Sequence, residues 1–152
     1  MKYLMVLVFT LLPFKVFAFP EIGDYARYMA TFRGDAYEIK RTLTEYYPET
    51  NSFRHIWKLS KNGVVVAEES TQLPYGWFYT PKKIENVLSS CVKREGVLGE
   101  IIIQNQKVPS CTFFNEESLL DYSVGMVPFG QIRFQLHLSG EYFLDFNLVS
   151  FH

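Results

Sequence analysis

The chain has 152 residues, of which 15 are basic, 16 acidic, 48% hydrophobic and 17% aromatic. This hydrophobic content is high enough for a packed core, which excludes a disordered chain. The near-neutral charge argues against nucleic acid as a partner, because nucleic-acid binding depends on a basic surface.

The first segment, residues 1–18, has the pattern of a secretory signal peptide. A basic residue precedes an apolar core, and Ala18 ends a Val-Phe-Ala site where we expect cleavage. The apolar run is shorter than the roughly 20 residues of a spanning helix, and no later run is long enough, so we expect no integral membrane protein. Cleavage would leave a single β-rich domain, 19–152, that is periplasmic or secreted. Two basic residues would be lost, which leaves 13 against 16 acidic residues.

Alternating apolar and polar residues predict the first two strands at 25–33 and 36–47. A two-residue turn with Gly34 as its first central residue joins them. This turn sets Tyr28 opposite Arg41 and brings the apolar side chains of both strands onto one face.

A third strand is predicted at 53–60, with His55 and Trp57 on its apolar face. A five-residue loop before it sets Glu45 opposite His55. A three-residue Lys-Asn-Gly loop after it sets Glu69 opposite His55. A two-residue Asn-Gly turn would shift the second register by one residue. The longer loop is preferred, because it keeps the apolar face continuous.

An aromatic crossing leads from the fourth strand into the helix. The crossing carries Tyr75, Trp77, Phe78 and Tyr79 beside a proline and a glycine. These side chains either line a pocket mouth, dock a partner, or fill space under the helix.

The helix begins after Thr80, which suits the N-cap, and has Pro81 at its first position. Its apolar stripe is formed by Ile84, Val87, Leu88 and Cys91 at helical spacing. We expect Gly96 to stop it in a left-handed conformation.

The two cysteines, Cys91 and Cys111, predict one disulfide in an exported chain. It would tie the end of the helix to the following hairpin as a structural link. A redox role is disfavoured, because redox pairs usually have Cys-x-x-Cys spacing at a helix N-terminus.

Five more strands are predicted at 98–106, 108–114, 119–127, 131–139 and 141–151. The whole pattern predicts a mainly β fold: an antiparallel meander that forms a curved sheet or small barrel, with one α-helix covering or plugging it.

The tail reads Val-Pro-Phe-Gly-Gln-Ile and then Gly-Glu-Tyr-Phe-Leu-Asp-Phe-Asn-Leu-Val-Ser-Phe. It resembles the tails of uncharacterised exported β-rich proteins of Gram-negative bacteria. The strand arrangement is similar to lipocalin-like folds and to the half-barrel periplasmic carriers of lipoproteins and lipids. The resemblance implies a half barrel and assigns no functional residue.

A polar cluster around His55 is the one candidate site. The proposed ligand-binding residues are Tyr28, Arg41, Glu45, His55, Trp57 and Glu69. They would anchor a ligand in a concave pocket or supply an acid–base group; the alternative is a satisfied structural network. No catalytic motif, metal set or cofactor fingerprint is found, so we expect no enzyme, metal or cofactor.

The sequence therefore favours a non-enzymatic binding or carrier module for an apolar or amphipathic, lipid-like ligand. The alternative is an envelope structural or protein-interaction subunit with an envelope protein as its partner.

Overall fold

A computed structural model of the chain describes residues 19–116, 119–138 and 141–152. The predicted signal peptide at 1–18 lies outside the described residues and stays a prediction. Within the described part, no helix is both long enough and apolar enough to cross a membrane.

The predicted fold class is confirmed: the chain is mainly β, with antiparallel strands in one curved, open sheet and one α-helix among the described residues. The strands are β1 (Tyr25–Phe32), β2 (Asp35–Tyr47), β3 (Ser52–Lys61), β4 (Val64–Pro74), β5 (Val97–Ile103), β6 (Gln106–Asn115), β7 (Leu120–Gly125), β8 (Gln131–Leu138) and β9 (Glu141–Phe151). Helix α1 (Pro81–Ser89) lies between two short 3-10 turns, Tyr75–Trp77 and Val92–Arg94.

The strands lie in the order β4-β3-β2-β1-β9-β8-β7-β6-β5. Each half of the chain is a meander, as the sequence predicts, and the pairing of β1 with β9 joins the halves. The edges of the sheet are therefore β4 and β5, the two strands that α1 connects.

A row of aromatic side chains crosses four neighbouring strands. Phe113, Tyr122, Phe134 and Phe146 are directly opposite one another in turn. The rings of Phe113 and Tyr122 stack with 5.1 Å between their centroids, and those of Phe134 and Phe146 stack at 4.9 Å. Tyr28 then meets Phe146 edge-on at 5.9 Å, which continues the packing into β1.

The predicted turn between β1 and β2 is wrong by one residue. Its central residues are Arg33 and Gly34, with φ of 50° and 86°, which is a two-residue loop with both residues left-handed. Tyr28 consequently lies opposite Ile39, and Arg41 lies opposite another β1 residue. The pairing moves by two residues, so the same side chains still share a face.

Helix α1 begins as predicted. The Thr80 side chain accepts a hydrogen bond from the Lys83 amide at 3.4 Å, and Ile84 is fully buried. The helix packs against β6 and β7. The left-handed residue after the helical region is Glu95, with φ of 62°, and the prediction that Gly96 has this role is wrong.

The predicted disulfide between Cys91 and Cys111 is confirmed, with 5.8 Å between the Cα atoms. Both cysteines are fully buried beside Phe113. Gly96 passes close to this cluster: a Cβ added there would lie 2.6 and 2.8 Å from the two sulfurs. This position requires glycine for space.

Gly96→Ala should lower the free energy of unfolding by about 1–3 kcal/mol, because the added methyl group overpacks the disulfide and Phe113. Urea unfolding of the oxidised protein measures the loss. The matched control is Gly99→Ala, where the nearest atom, Ser110 Oγ, is 3.9 Å from the added Cβ. Equal stabilities of the two variants would contradict the close approach.

Candidate functional site

His55 lies on β3 with 6% of its surface exposed. Its neighbours across the sheet are Leu43 on β2 and Thr71 on β4. Arg41 Nε donates a hydrogen bond to His55 Nε2 at 3.1 Å, and the ring of Phe129 lies 5.5 Å away. Since Nε2 accepts this hydrogen bond, that nitrogen carries no proton and the imidazole is neutral.

Arg41 is partly buried and brings a guanidinium group against His55 and Phe129. The group lies 4.1 Å from the centroid of the Phe129 ring, which stabilises the cation through its π face. Among the described residues no carboxylate forms an ion pair with it. Burial lowers the pKa of Arg41, and the nearby Tyr28 opposes that effect. The Arg41 cation is thus stabilised by two uncharged side chains, the His55 imidazole and the Phe129 ring.

Tyr28 is the most buried member of the cluster, with 1% of its surface exposed. Its hydroxyl donates to the Gln131 carbonyl at 3.0 Å, which links β1 to the start of β8. Burial raises the pKa of Tyr28 to about 12, although the charge of Arg41 acts in the opposite direction. Tyr28 therefore stays protonated and serves as a structural donor.

Glu45 does not face His55, and that predicted pair is wrong. The predicted five-residue loop before β3 is also wrong: Tyr47 lies opposite Ser52, so the loop has four residues and Glu45 lies opposite Arg54. A bulge between Leu43 and Glu45 then shifts the register again and places Leu43 opposite His55. It forms an exposed ion pair with Arg54 at 3.4 Å and accepts a hydrogen bond from the Tyr47 hydroxyl at 2.5 Å. The carboxylate remains at the surface.

Glu69 also lies away from His55, and its predicted pairing is wrong. The β3–β4 turn has two left-handed central residues, Asn62 and Gly63, so the predicted three-residue loop is wrong. A bulge follows, which places Glu69 opposite Trp57. Trp57 Nε1 donates to Glu69 Oε2 at 3.2 Å in an exposed pair.

The structure thus brings together Tyr28, Arg41 and His55 from the predicted site and adds Phe129, which the sequence interpretation missed. Phe129 lies in the loop after β7 with φ of 64° and is buried. The Val-Pro-Phe-Gly sequence predicts a turn or bulge there. A large aromatic residue inside a turn was the signal for a side chain that points into the core.

The cluster has little capacity for acid–base chemistry near neutral pH. Burial first, and then the charge of Arg41, lowers the pKa of His55 to about 4. Its Nε2 lone pair is already occupied by Arg41. Within the described ranges, no group of three His, Cys, Asp or Glu residues is placed to hold a metal ion.

The aromatic crossing divides into buried and exposed side chains. Phe78 is 4% exposed and packs edge-on against Phe19 and Phe53, with centroids 5.6 and 5.7 Å away. Trp77 is 74% exposed, and Tyr75 and Tyr79 are about 40% exposed. One residue of the predicted set therefore fills the core, and the other three lie at the surface.

A cavity of about 440 Å³ lies apart from this cluster, lined by Tyr25, Arg27, Glu38, Lys40, Gln104 and Ser150. Its walls are mainly polar, with two cations and one carboxylate. Arg27 and Glu38 form an ion pair there at 3.4 Å. This lining does not match an apolar ligand.

The neutral state of His55 predicts a pH dependence of stability. The folded pKa of about 4 lies below the ordinary value of 6.5, so the unfolded chain binds the proton more readily. The contribution to the free energy of unfolding is fully present above pH 6.5 and is lost as the pH falls towards 4. Urea unfolding at several pH values measures this slope. In His55→Gln, which keeps an acceptor for Arg41 without titrating, the slope should be shallower; an unchanged slope would contradict the assignment.

Removal of the acceptor should be more costly than its replacement. His55→Ala leaves the partly buried Arg41 Nε without its partner, which should lower the free energy of unfolding by about 1–3 kcal/mol at pH 7.5. His55→Gln should lose less under the same conditions. The two variants losing the same amount would show that the hydrogen bond contributes nothing beyond packing.

The solved structures to which this chain is similar include two complexes of MucB with MucA. The crystal structure of MucB in complex with MucA(peri) matches with a TM-score of 0.51 and 10% identity, over 86% of this chain and 49% of that chain. The complex structure of Pseudomonas aeruginosa MucA/MucB matches with a TM-score of 0.52 and 10% identity, over 86% of this chain and 51% of that chain. This chain therefore spans about half the length of the chains it matches.

At 10% identity the similarity shows the fold alone. The lipocalin-like part of the sequence interpretation receives no support from these two structures. The chain matches no protein-family model, and no curated protein matches it by sequence.

Proposed function

We propose that this chain is an exported envelope protein that binds a segment of another polypeptide. The observation that carries the proposal is Trp77, which is 74% exposed in a segment that is otherwise firmly held. Large exposed aromatic side chains on a rigid support are typical centres of protein–protein interfaces. Export itself is expected from residues 1–18, and the disulfide is consistent with an oxidising compartment.

The segment around Trp77 is fixed from two sides. Phe78 anchors it in the core, 5.6 Å from the ring of Phe19. Lys83 Nζ, from the first turn of α1, donates to the carbonyl of Phe78 at 3.0 Å and to that of Gly76. Because the backbone is already ordered, a partner that covers Trp77 would lose little conformational entropy on binding.

The carrier hypothesis has less support. A carrier of apolar ligands needs a large apolar cavity. Where the sequence predicts such a pocket, Phe129 packs directly on Arg41 and His55. The cavity described above is polar. At the predicted pocket, the space beside Arg41 and His55 is thus filled by Phe129.

The structural similarity supports the same choice. The matching MucB chains come from complexes with MucA, so in those proteins this fold occurs together with a polypeptide partner. For the present chain we extend this to a proposal that its partner is also a protein of the envelope. An enzymatic role has no support in the cluster around His55, whose pKa is about 4.

A photo-crosslinking amino acid placed at Trp77 tests the proposal in cells that export the protein. We expect a discrete adduct that protease treatment destroys. The matched control is the same amino acid at Ile22, which is also apolar and 62% exposed, and which should give no such adduct. Native mass spectrometry of the purified chain separates the alternative: a bound lipid mass without a protein adduct at Trp77 would favour the carrier.

A further inference from the structure

The β5 edge of the sheet exposes apolar side chains over most of its length, and its last residue, Ile103, is buried. Strand β5 has the sequence Val-Leu-Gly-Glu-Ile-Ile-Ile and, in the part of the chain that the structure describes, pairs with β6 alone. Val97 and Ile102 are each 70% exposed, and Leu98 is 53% exposed. An exposed apolar edge strand with free backbone groups is a template for a further strand.

The β4 edge carries the protective features that β5 does not have. A bulge lies next to its three exposed valines, where the register shifts between Leu59 and Ser60 on β3. Glu68 and Glu69 follow, and Pro74 ends the strand. Bulges, charges and proline are the devices by which proteins protect a sheet edge from unwanted pairing. By contrast, β5 runs in regular register with one charged residue and no proline.

The single charge on β5 defines what would fit it. Leu98, Glu100 and Ile102 alternate along the strand and therefore share one face. The added strand that fits this face best has an apolar residue opposite Leu98, a basic residue opposite Glu100 and an apolar residue opposite Ile102. Glu100 is available for such a contact, because its ion pair with Lys107 is long, at 3.5 Å, and exposed.

A second copy of the chain fits this edge less well. Antiparallel pairing of two β5 strands over their full length would set Glu100 opposite Glu100, and like charges directly opposite are destabilising. A basic residue in the added strand removes the repulsion and replaces it with attraction. Charge complementarity therefore favours a different chain.

We propose that β5 receives an extended segment of a partner protein with the pattern apolar-x-basic-x-apolar, added to the sheet by backbone hydrogen bonds. The proposal deepens the proposed function and depends on it for the polypeptide nature of the partner. Backbone pairing would supply affinity, and the residues opposite Leu98, Glu100 and Ile102 would supply specificity.

A synthetic peptide, Thr-Val-Thr-Lys-Thr-Val-Thr, tests the edge directly when titrated against the full chain and followed by backbone amide NMR shifts. A second peptide has Glu in place of Lys. We expect the Lys peptide to bind the wild type about two- to fivefold more tightly, as a cross-strand charge pair would give. Glu100→Lys should reverse the preference, and Ile102→Lys should remove binding of both peptides.

Val65→Lys on the β4 edge is the matched control and should leave binding unchanged, since Val65 is 50% exposed at the other edge. Far-UV circular dichroism checks that every variant is folded. Equal binding of the two peptides, loss of binding in Val65→Lys, or no binding at all would overturn the proposal. A protein adduct at Trp77 combined with any of these results would leave the proposed function intact and reject the β5 edge alone.

Discussion

The pairing of the first strand with the last is the constraint on which the rest of the structure depends. The strand order joins one meander, β1 to β4, to another, β5 to β9, through the β1–β9 ladder. Residues near the two ends of the described chain, such as Ala30 and Phe146, must meet for this to form. Tyr25 and His152 exchange two backbone hydrogen bonds at the end of the same seam. The contacts that unite the halves are thus the most distant in sequence.

The pairing of β1 with β9 determines which strands form the edges of the sheet. When the outer strands of the sequence pair in the centre, the unpaired edges fall in the middle of the sequence, at β4 and β5. The chain between them has to cross from one edge to the other, and it does so through the aromatic crossing and α1. Both candidate surfaces, Trp77 and the β5 edge, lie in this central region. The far end of β5 nevertheless returns to the β1–β9 pairing: Ile103 shares a buried cluster with Ala26 and Leu148, and the Phe151 amide donates to Gln104 Oε1 at 3.2 Å.

The buried cluster shows how far the sequence could predict the structure. Alternation placed Tyr28, Arg41 and His55 on one face, and that face is correct, because a register shift of two residues preserves it. The partners are different, because they depend on bulges and turn types. A loop of four residues before β3, one shorter than predicted, moves Glu45 to Arg54, and the two-residue turn with its bulge moves Glu69 to Trp57. Local patterns do not encode these single-residue shifts.

Contacts between distant parts of the chain could not be predicted from the sequence either. Phe129 meets Arg41 only after β7 and β2 have taken their places in the sheet, and no short-range pattern reports that contact. The helix cap and the disulfide were predictable, because each follows from local or compositional signals: Thr80 followed by a proline, and two cysteines in a chain that is predicted to be exported. The same holds for the titration of His55: burial, and then the charge of Arg41, lower its pKa, and neither glutamate that was predicted opposite it is there to oppose them.

The disulfide also helps to keep β5 ordered, although β5 is an edge strand. Cys111 on β6 lies directly opposite Leu98, so the covalent link acts at the beginning of β5. Gly96 approaches the two sulfurs closely, which fixes the backbone as it enters the strand. Each edge strand has ladder hydrogen bonds on one side alone, and fraying would expose more of its apolar residues. A strand that is held at its start can keep Leu98 and Ile102 exposed in a regular register, and this order is what an added strand needs as its template.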